Sequence, residues 1–222
     1  MTSDPDHDDE GRVKDRLITA KERSAKEGRH LTGVTRPASE RLPPGQSLVV
    51  KWPVLDLGVQ PKVATADWRL EIDGLVDNPQ RWDWDQFRAQ PQVKRRSDIH
   101  CVTTWSLYDN DWDGVAARHI LALVRPRAEA RFLVFHSYDG YTTNLPLRYF
   151  DDDEALLAHS WRGAPVPREH GGPVRAVVPK LYFWKSAKWL RRIEFIAEDR
   201  RGFWEEHGYH DRGDPWQEER YG

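Results

Sequence analysis

The sequence predicts an α+β domain, mixed in its strand directions and mostly β. Three observations carry that prediction. Short apolar stretches alternate with polar residues, stretches with helical spacing are few, and proline and glycine, 15 of each in 222 residues, punctuate the chain between them.

Residues 1–41 read as a mobile charged tail and residues 42–222 as the domain. The tail has an acidic start from Asp4 to Glu10 and a mixed-charge stretch from Arg12 to Arg29 compatible with an exposed helix. From Leu42, a run broken by prolines and glycines predicts an irregular arm lying over the domain. Trp68, Leu70 and Ile72 alternate with polar residues up to Gly74, which predicts a half-buried strand and a turn. Asp83 is placed to cap a short helix through Phe87. A strand through Val93 and Ile99 would deliver His100 and Cys101 at its end. Val115 to Val124 has helical spacing and stops before Pro126, Phe132 to Phe135 is a strand, and Asp139-Gly140 turns into Tyr141 to Leu147. A helix is expected from about Asp152. The stretches PVRAVVP and KWLRRIEFIAE predict two strands around the aromatic loop KLYFWKSA, and the aromatic final residues predict a wrap over the domain.

A net charge of −2 provides no field for nucleic acid. No apolar run approaches the roughly 18 residues of a membrane span, and the acidic start lacks the features of a secretory signal, so a cytoplasmic location is expected. A single cysteine excludes an internal disulfide. Eleven tryptophans in a highly charged chain point to an enclosed aromatic pocket.

Two constellations can carry chemistry. Cys101 lies at a strand end before Val102, Thr103, Thr104 and Trp105. A lone cysteine is commonly a small buried hydrophobe. A thiolate is also a soft metal ligand, and one suffices when a cofactor's own sulfurs complete the sphere. A Cys-His nucleophile is a third reading, but His100 points to the opposite face of a strand, so the base would have to be His170. The second constellation spans His170 to Phe195, where glycines, Arg175, Lys185, Ser186 and Lys188 surround the aromatic loop. Such cations and loop amides suit a phosphate group, against the alternative of a solvated charged loop.

HCVTTWS, DGYTTNLPL, HGGPVRAVVPKLYFWKSAKWL and the tail GFWEEHGYH with its later GDPW resemble the sulfite-oxidase-like molybdopterin oxidoreductases, in particular their short single-domain bacterial branch. More distantly they resemble the catalytic subunit of the periplasmic methionine sulfoxide reductase. The resemblance covers residues 42 to 222 and implies a sulfite-oxidase-type molybdopterin-binding domain carrying molybdenum on one molybdopterin, with Cys101 as the protein's metal ligand. It further implies that His170, Arg175, Lys185, Ser186 and Lys188 hold the pterin and its phosphate. Tyr141 to Asn144, including Thr143, would line the site, and Lys51 and Trp52 of the arm would touch the pterin.

The sequence departs from those families in two places. Sulfite oxidases follow their cysteine with an anion-binding glycine-asparagine-arginine stretch, whereas Val102 to Ser106 is neutral and aromatic. The sulfoxide reductases commonly carry an acidic residue where Thr103 stands. The first departure argues against sulfite, the second sets the stretch apart from the sulfoxide reductases as well, and the expected substrate is a reducible S-oxide or N-oxide bound against Trp105. No haem domain is visible, so electrons are expected from a separate electron-transfer protein, which the tail is suited to dock. The competing class is a non-catalytic domain that stacks a small ligand on tryptophans.

Three further motifs are read as structural. Asp109, Asp111, Asp113 and Gly114 open like a calcium loop, but its twelfth position is Ile120, which leaves a polar turn with a helix cap. Asp151 to Glu154 reads as the acidic first turn of a helix. His207 and His210 lack further ligands at familiar spacing.

Overall fold

The computed structural model describes residues 41–222, together with Asp15, Ile18 and Thr19. The expectation of a mobile tail with an exposed helix falls largely outside the described residues. The elements run β1 (Ser47–Leu48), β2 (Arg69–Gly74), β3 (Gln80–Asp83), α1 (Trp84–Ala89), β4 (Gln92–His100), β5 (Trp105–Ala116) and α2 (Ala117–Val124). They continue with β6 (Phe132–Ser137), β7 (Thr142–Pro146), α3 (Leu147–Phe150), β8 (Leu156–Trp161), β9 (Ala164–Pro165), β10 (Arg175–Val177), β11 (Leu190–Ile196) and α4 (Phe203–Glu206).

Among the described residues the strands form two sheets. One runs β1-β5-β8-β10, with β4 also on β5 and β9 on β8; the other runs β3-β2-β11-β6-β7. The pairs β1/β5 and β2/β11 are parallel and the rest antiparallel, so the mixed, mostly β expectation holds. Alternation explains β2, whose Leu70 and Ile72 are fully buried while Arg69 and Gly74 are exposed. Asp83 caps α1 in a capping box: its carboxylate accepts from Gln86 N, and the Gln86 side chain accepts from Asp83 N, both at 2.9 Å.

The structure corrects two readings. Asp109, Asp111 and Asp113 lie along strand β5 rather than in a turn, because β4 supplies a basic partner face. Arg96 binds Asp111 at 2.7 Å, and Arg41 bridges Asp98 and Asp109. Gly114 sits where β5 meets β8: a Cβ there would stand 2.0 Å from Leu157 O. The acidic block from Asp151 follows a helix instead of starting one. Helix α3 ends at Phe150, the chain bends, and β8 begins at Leu156, while Arg118 pairs with Asp151 and Asp153 and Lys180 pairs with Asp152.

Two cores result. The larger holds Trp68, Phe87, Ile120, Phe135, Ile193 and Phe195. The second is built around Cys101, Trp105, Trp112, Tyr182 and Trp204, and it forms the wall of the site. The final residues wrap this second core as expected: Arg220 donates to Val102 O and Pro44 O, and Tyr209 bridges to Tyr221.

Candidate active site

Strand β4 ends at His100 and the chain turns tightly before β5. Cys101 N donates to Trp105 O at 2.8 Å and Thr104 N to Cys101 O at 3.0 Å, with Thr104 in the left-handed region at φ 71°. The arm closes over this turn, since Ser47 N donates to Thr104 O and Val49 N to Ser106 O, each at 2.9 Å. Cys101 is buried, and its Sγ lies 3.1 Å from Thr103 Oγ1. His100 Nδ1 engages Ser106 Oγ at 2.8 Å instead of the thiol, in keeping with its expected opposite orientation.

Cys101 opens onto a cavity of about 120 Å³. The predicted residues Trp52, Trp105, Tyr141, His170, Arg175, Ser186 and Lys188 line it too, so residues up to 136 positions apart in sequence meet in one space. Phe183, Trp184, Trp204 and Tyr209 complete its aromatic wall.

Arg175 is fully buried on β10. Its guanidinium donates to His170 O and Ser186 O, both at 2.7 Å, and to Ala176 O at 3.2 Å, and it lies 4.1 Å from the Phe183 ring centre. No carboxylate faces it among the described residues, and burial pushes its pKa down to about 9. His170 stacks on Trp52 at 3.8 Å, and its Nδ1 is buried without a hydrogen-bond partner among the described residues. Burial, with Arg175 and Lys188 nearby, lowers its pKa to about 4, so its ring is neutral at pH 7. Lys188 Nζ donates to Leu55 O and Glu169 O, tying the arm to the loop. Gly171 permits this approach: its φ is +105°, and a Cβ would stand 2.8 Å from Lys188 Cα. The indole N–H of Trp105 is likewise buried, with no hydrogen-bond partner among the described residues.

Four predicted residues lie elsewhere. Lys51 is exposed and outside the cavity wall. Thr143, Asn144 and Lys185 sit behind the wall. Lys185 Nζ contacts Asn144 O, Asn144 Oδ1 and Glu205 Oε1, and Thr143 Oγ1 donates to Glu205 Oε1. Burial leaves each of these polar groups to the nearest complementary one. His207 and His210 bind Phe203 O and the Arg212 amide, and no cluster of three metal-ligating groups occurs among the described residues. Sequence reasoning did not single out Glu205 or Gln46, which meet their partners across long sequence separations that carry no local signal. Trp204 and Tyr209 were foreshadowed by the aromatic character of the tail.

The family model of the oxidoreductase molybdopterin binding domain matches residues 57–204. The uncharacterized oxidoreductase YuiH of Bacillus subtilis is 45% identical over 192 residues, covering 85% of this chain and 97% of YuiH. The putative protein-methionine-sulfoxide reductase subunit YedZ1 of Azospira oryzae is 29% identical over 148 residues, and the match spans 67% of this chain and 56% of that protein. Among solved structures, the sulfane dehydrogenase SoxCD of Paracoccus pantotrophus superposes with a TM-score of 0.58 at 22% identity, over 63% of this chain and 40% of that one, a likeness of fold. A thiol and a buried guanidinium that faces no carboxylate among the described residues line one cavity with His170 and Trp105, and a cation of this kind fits the anionic groups of a pterin. The chain belongs to the oxidoreductase molybdopterin binding domain family and is a molybdopterin-dependent oxidoreductase of the sulfite-oxidase type.

Proposed function

We propose that the chain transfers oxygen atoms in the reductive direction, taking the oxygen of a small S-oxide or N-oxide, with Cys101 as the one protein thiolate on molybdenum. The observation that carries this reading is the meeting of Cys101, Trp105 and Arg175, whose guanidinium faces no carboxylate among the described residues, on the wall of a single aromatic cavity.

When bound, the cofactor would supply the two-electron redox chemistry of oxygen-atom transfer. The protein contributes binding, orientation and exclusion of water. Arg175, with His170, Ser186 and Lys188, holds the anionic groups of the pterin, and Trp52 packs against His170 at their edge. The Trp105 N–H donates to the oxygen of the oxide, an acceptor that both S-oxides and N-oxides offer. Tyr141 donates its hydroxyl proton to Trp184 O at 2.7 Å, and burial holds its pKa well above the ordinary value, so it stays neutral and fixes the aromatic wall. The turn after Cys101 carries neutral side chains from Val102 to Ser106, which suits a neutral oxide better than an oxyanion. For a sulfoxide the reaction balances when the oxide, a pair of protons and a pair of electrons give the thioether and a molecule of water. The electrons come from a separate electron-transfer protein, and the proposed setting is the cytoplasm.

The test is reduction by the molybdenum-loaded enzyme, with a reduced viologen as donor, of a panel of sulfoxides and N-oxides beside sulfite oxidation with an artificial acceptor. Oxide reduction that falls in Trp105→Phe is expected. Sulfite turnover with no reduction of any oxide would overturn the assignment.

A further inference from the structure

A chain of three buried polar side chains runs from the end of β4 to the backbone of Cys101. His100 Nδ1 lies 2.8 Å from Ser106 Oγ, Ser106 Oγ lies 3.2 Å from Gln46 Oε1, and Gln46 Nε2 lies 3.1 Å from Cys101 O. All three side chains belong to residues less than a tenth exposed: His100 4%, Ser106 0% and Gln46 3%. The direction of every bond follows from its last member. Cys101 O can only accept, so the Gln46 amide must present its NH2 there and its oxygen to Ser106. The serine has one proton, and it must point at that oxygen, since otherwise two lone pairs would face each other at 3.2 Å. Ser106 Oγ is then left to accept, and His100 must carry a proton on Nδ1. A single arrangement satisfies all the groups.

We propose that His100 is a positioning residue for the metal-ligating turn, acting through Ser106 and Gln46 to fix the carbonyl of Cys101 and hence the direction of its thiol. Cys101 O also accepts from Thr104 N, so the carbonyl is held from two sides, one of them within the turn and the other from the arm. Gln46 immediately precedes β1, and β1 pairs with the first residues of β5 in parallel, at Trp105 and Ser106. The relay therefore spans both strands that flank the cysteine and locks them at its level. A bonded network of neutral groups in a dry interior is rigid, because each member would be left unsatisfied if its neighbour turned away.

This inference rests on Cys101 being the molybdenum ligand, but its test is read in cofactor-free protein and does not depend on metal content. Long-range nitrogen–proton correlation spectra of the wild type report the tautomer of His100, assigned by comparison with His100→Asn; the Nδ1–H form is expected, and the Nε2–H form would overturn the relay. The second readout is the rate at which iodoacetamide alkylates Cys101. Loss of one hydrogen bond of the relay should change that rate by about five-fold in Ser106→Ala and in His100→Leu. His100→Asn, whose amide N–H can replace the Nδ1 donor, should restore the wild-type rate. Equal rates in all four proteins, with circular dichroism showing that each is folded, would show that the relay positions nothing.

Discussion

Lys185 Nζ lies 2.7 Å from Glu205 Oε1 behind the cavity wall, and both side chains are fully buried. The same carboxylate oxygen accepts from Thr143 Oγ1 at 2.9 Å and from Trp184 Nε1 at 2.8 Å. The ion pair thus anchors the indole that faces the site, with Trp184 also stacked on Tyr182. Desolvation depresses the lysine pKa, with Glu205 acting against it. Removing one partner leaves the other charge buried alone, which costs about 3–5 kcal/mol. Lys185→Met should lower stability by that order in urea denaturation, and Lys185→Met with Glu205→Leu should lower it less. A double variant as unstable as the sum of the singles would show that the two charges do not act as a pair.

Arg175 offers a sharper separation of binding from folding. Its guanidinium reaches His170 O and Ser186 O at once, which a lysine ammonium on a flexible stem cannot do in the same plane. Arg175→Lys should cost about 1–3 kcal/mol of stability from the strained or unmet carbonyls. It should also reduce pterin content, measured as fluorescence after oxidative release from protein made in a molybdopterin-competent host. Full pterin content would show that the guanidinium does not hold the cofactor.

How much of this was legible beforehand depends on whether the signal was local. Asp83 and Gln86 stand three residues apart, so the cap of α1 could be read directly. The β5 strand could not: its Asp-x-Asp-x-Asp-Gly run looks like a turn until β4 brings Arg96 opposite Asp111. Cys101 and Arg175 announced themselves by residue type and neighbours, whereas Glu205 and Gln46 take their roles from partners up to 62 and 60 positions away. Lys185 shows the opposite case. Its charge suggested a phosphate ligand, but the fold turns that charge inward onto Glu205.

Gly171 tests whether the close approach of the two cavity-lining segments matters. At φ +105°, and with Lys188 Cα only 2.8 Å from the place a methyl group would take, an alanine meets both backbone strain and a clash. Gly171→Ala should lose about 2 kcal/mol or more in thermal or urea unfolding, and its pterin content should fall with the displacement of His170 and Lys188. Wild-type stability would mean that the loop relaxes without strain.

The folded protein should also lose stability in mild acid for a traceable reason. The His170 pKa is lowered from 6.5 to about 4, first by burial against Trp52 and then by the charges of Arg175 and Lys188, with Glu169 opposing. Its folded value lies below its unfolded one, so the unfolded chain binds the proton first. The contribution of His170 is therefore fully present above about pH 6.5 and is lost as pH falls from there towards 4. His100, His136 and His159 are shifted in the same direction, again mainly by burial, and add to the slope. His170→Phe keeps the stack on Trp52 but cannot take a proton. Its urea midpoint should fall less steeply than that of the wild type between about pH 7 and pH 4.5. Parallel slopes would assign the acid sensitivity to the other three histidines and place His170 in a wetter setting than its neighbours suggest.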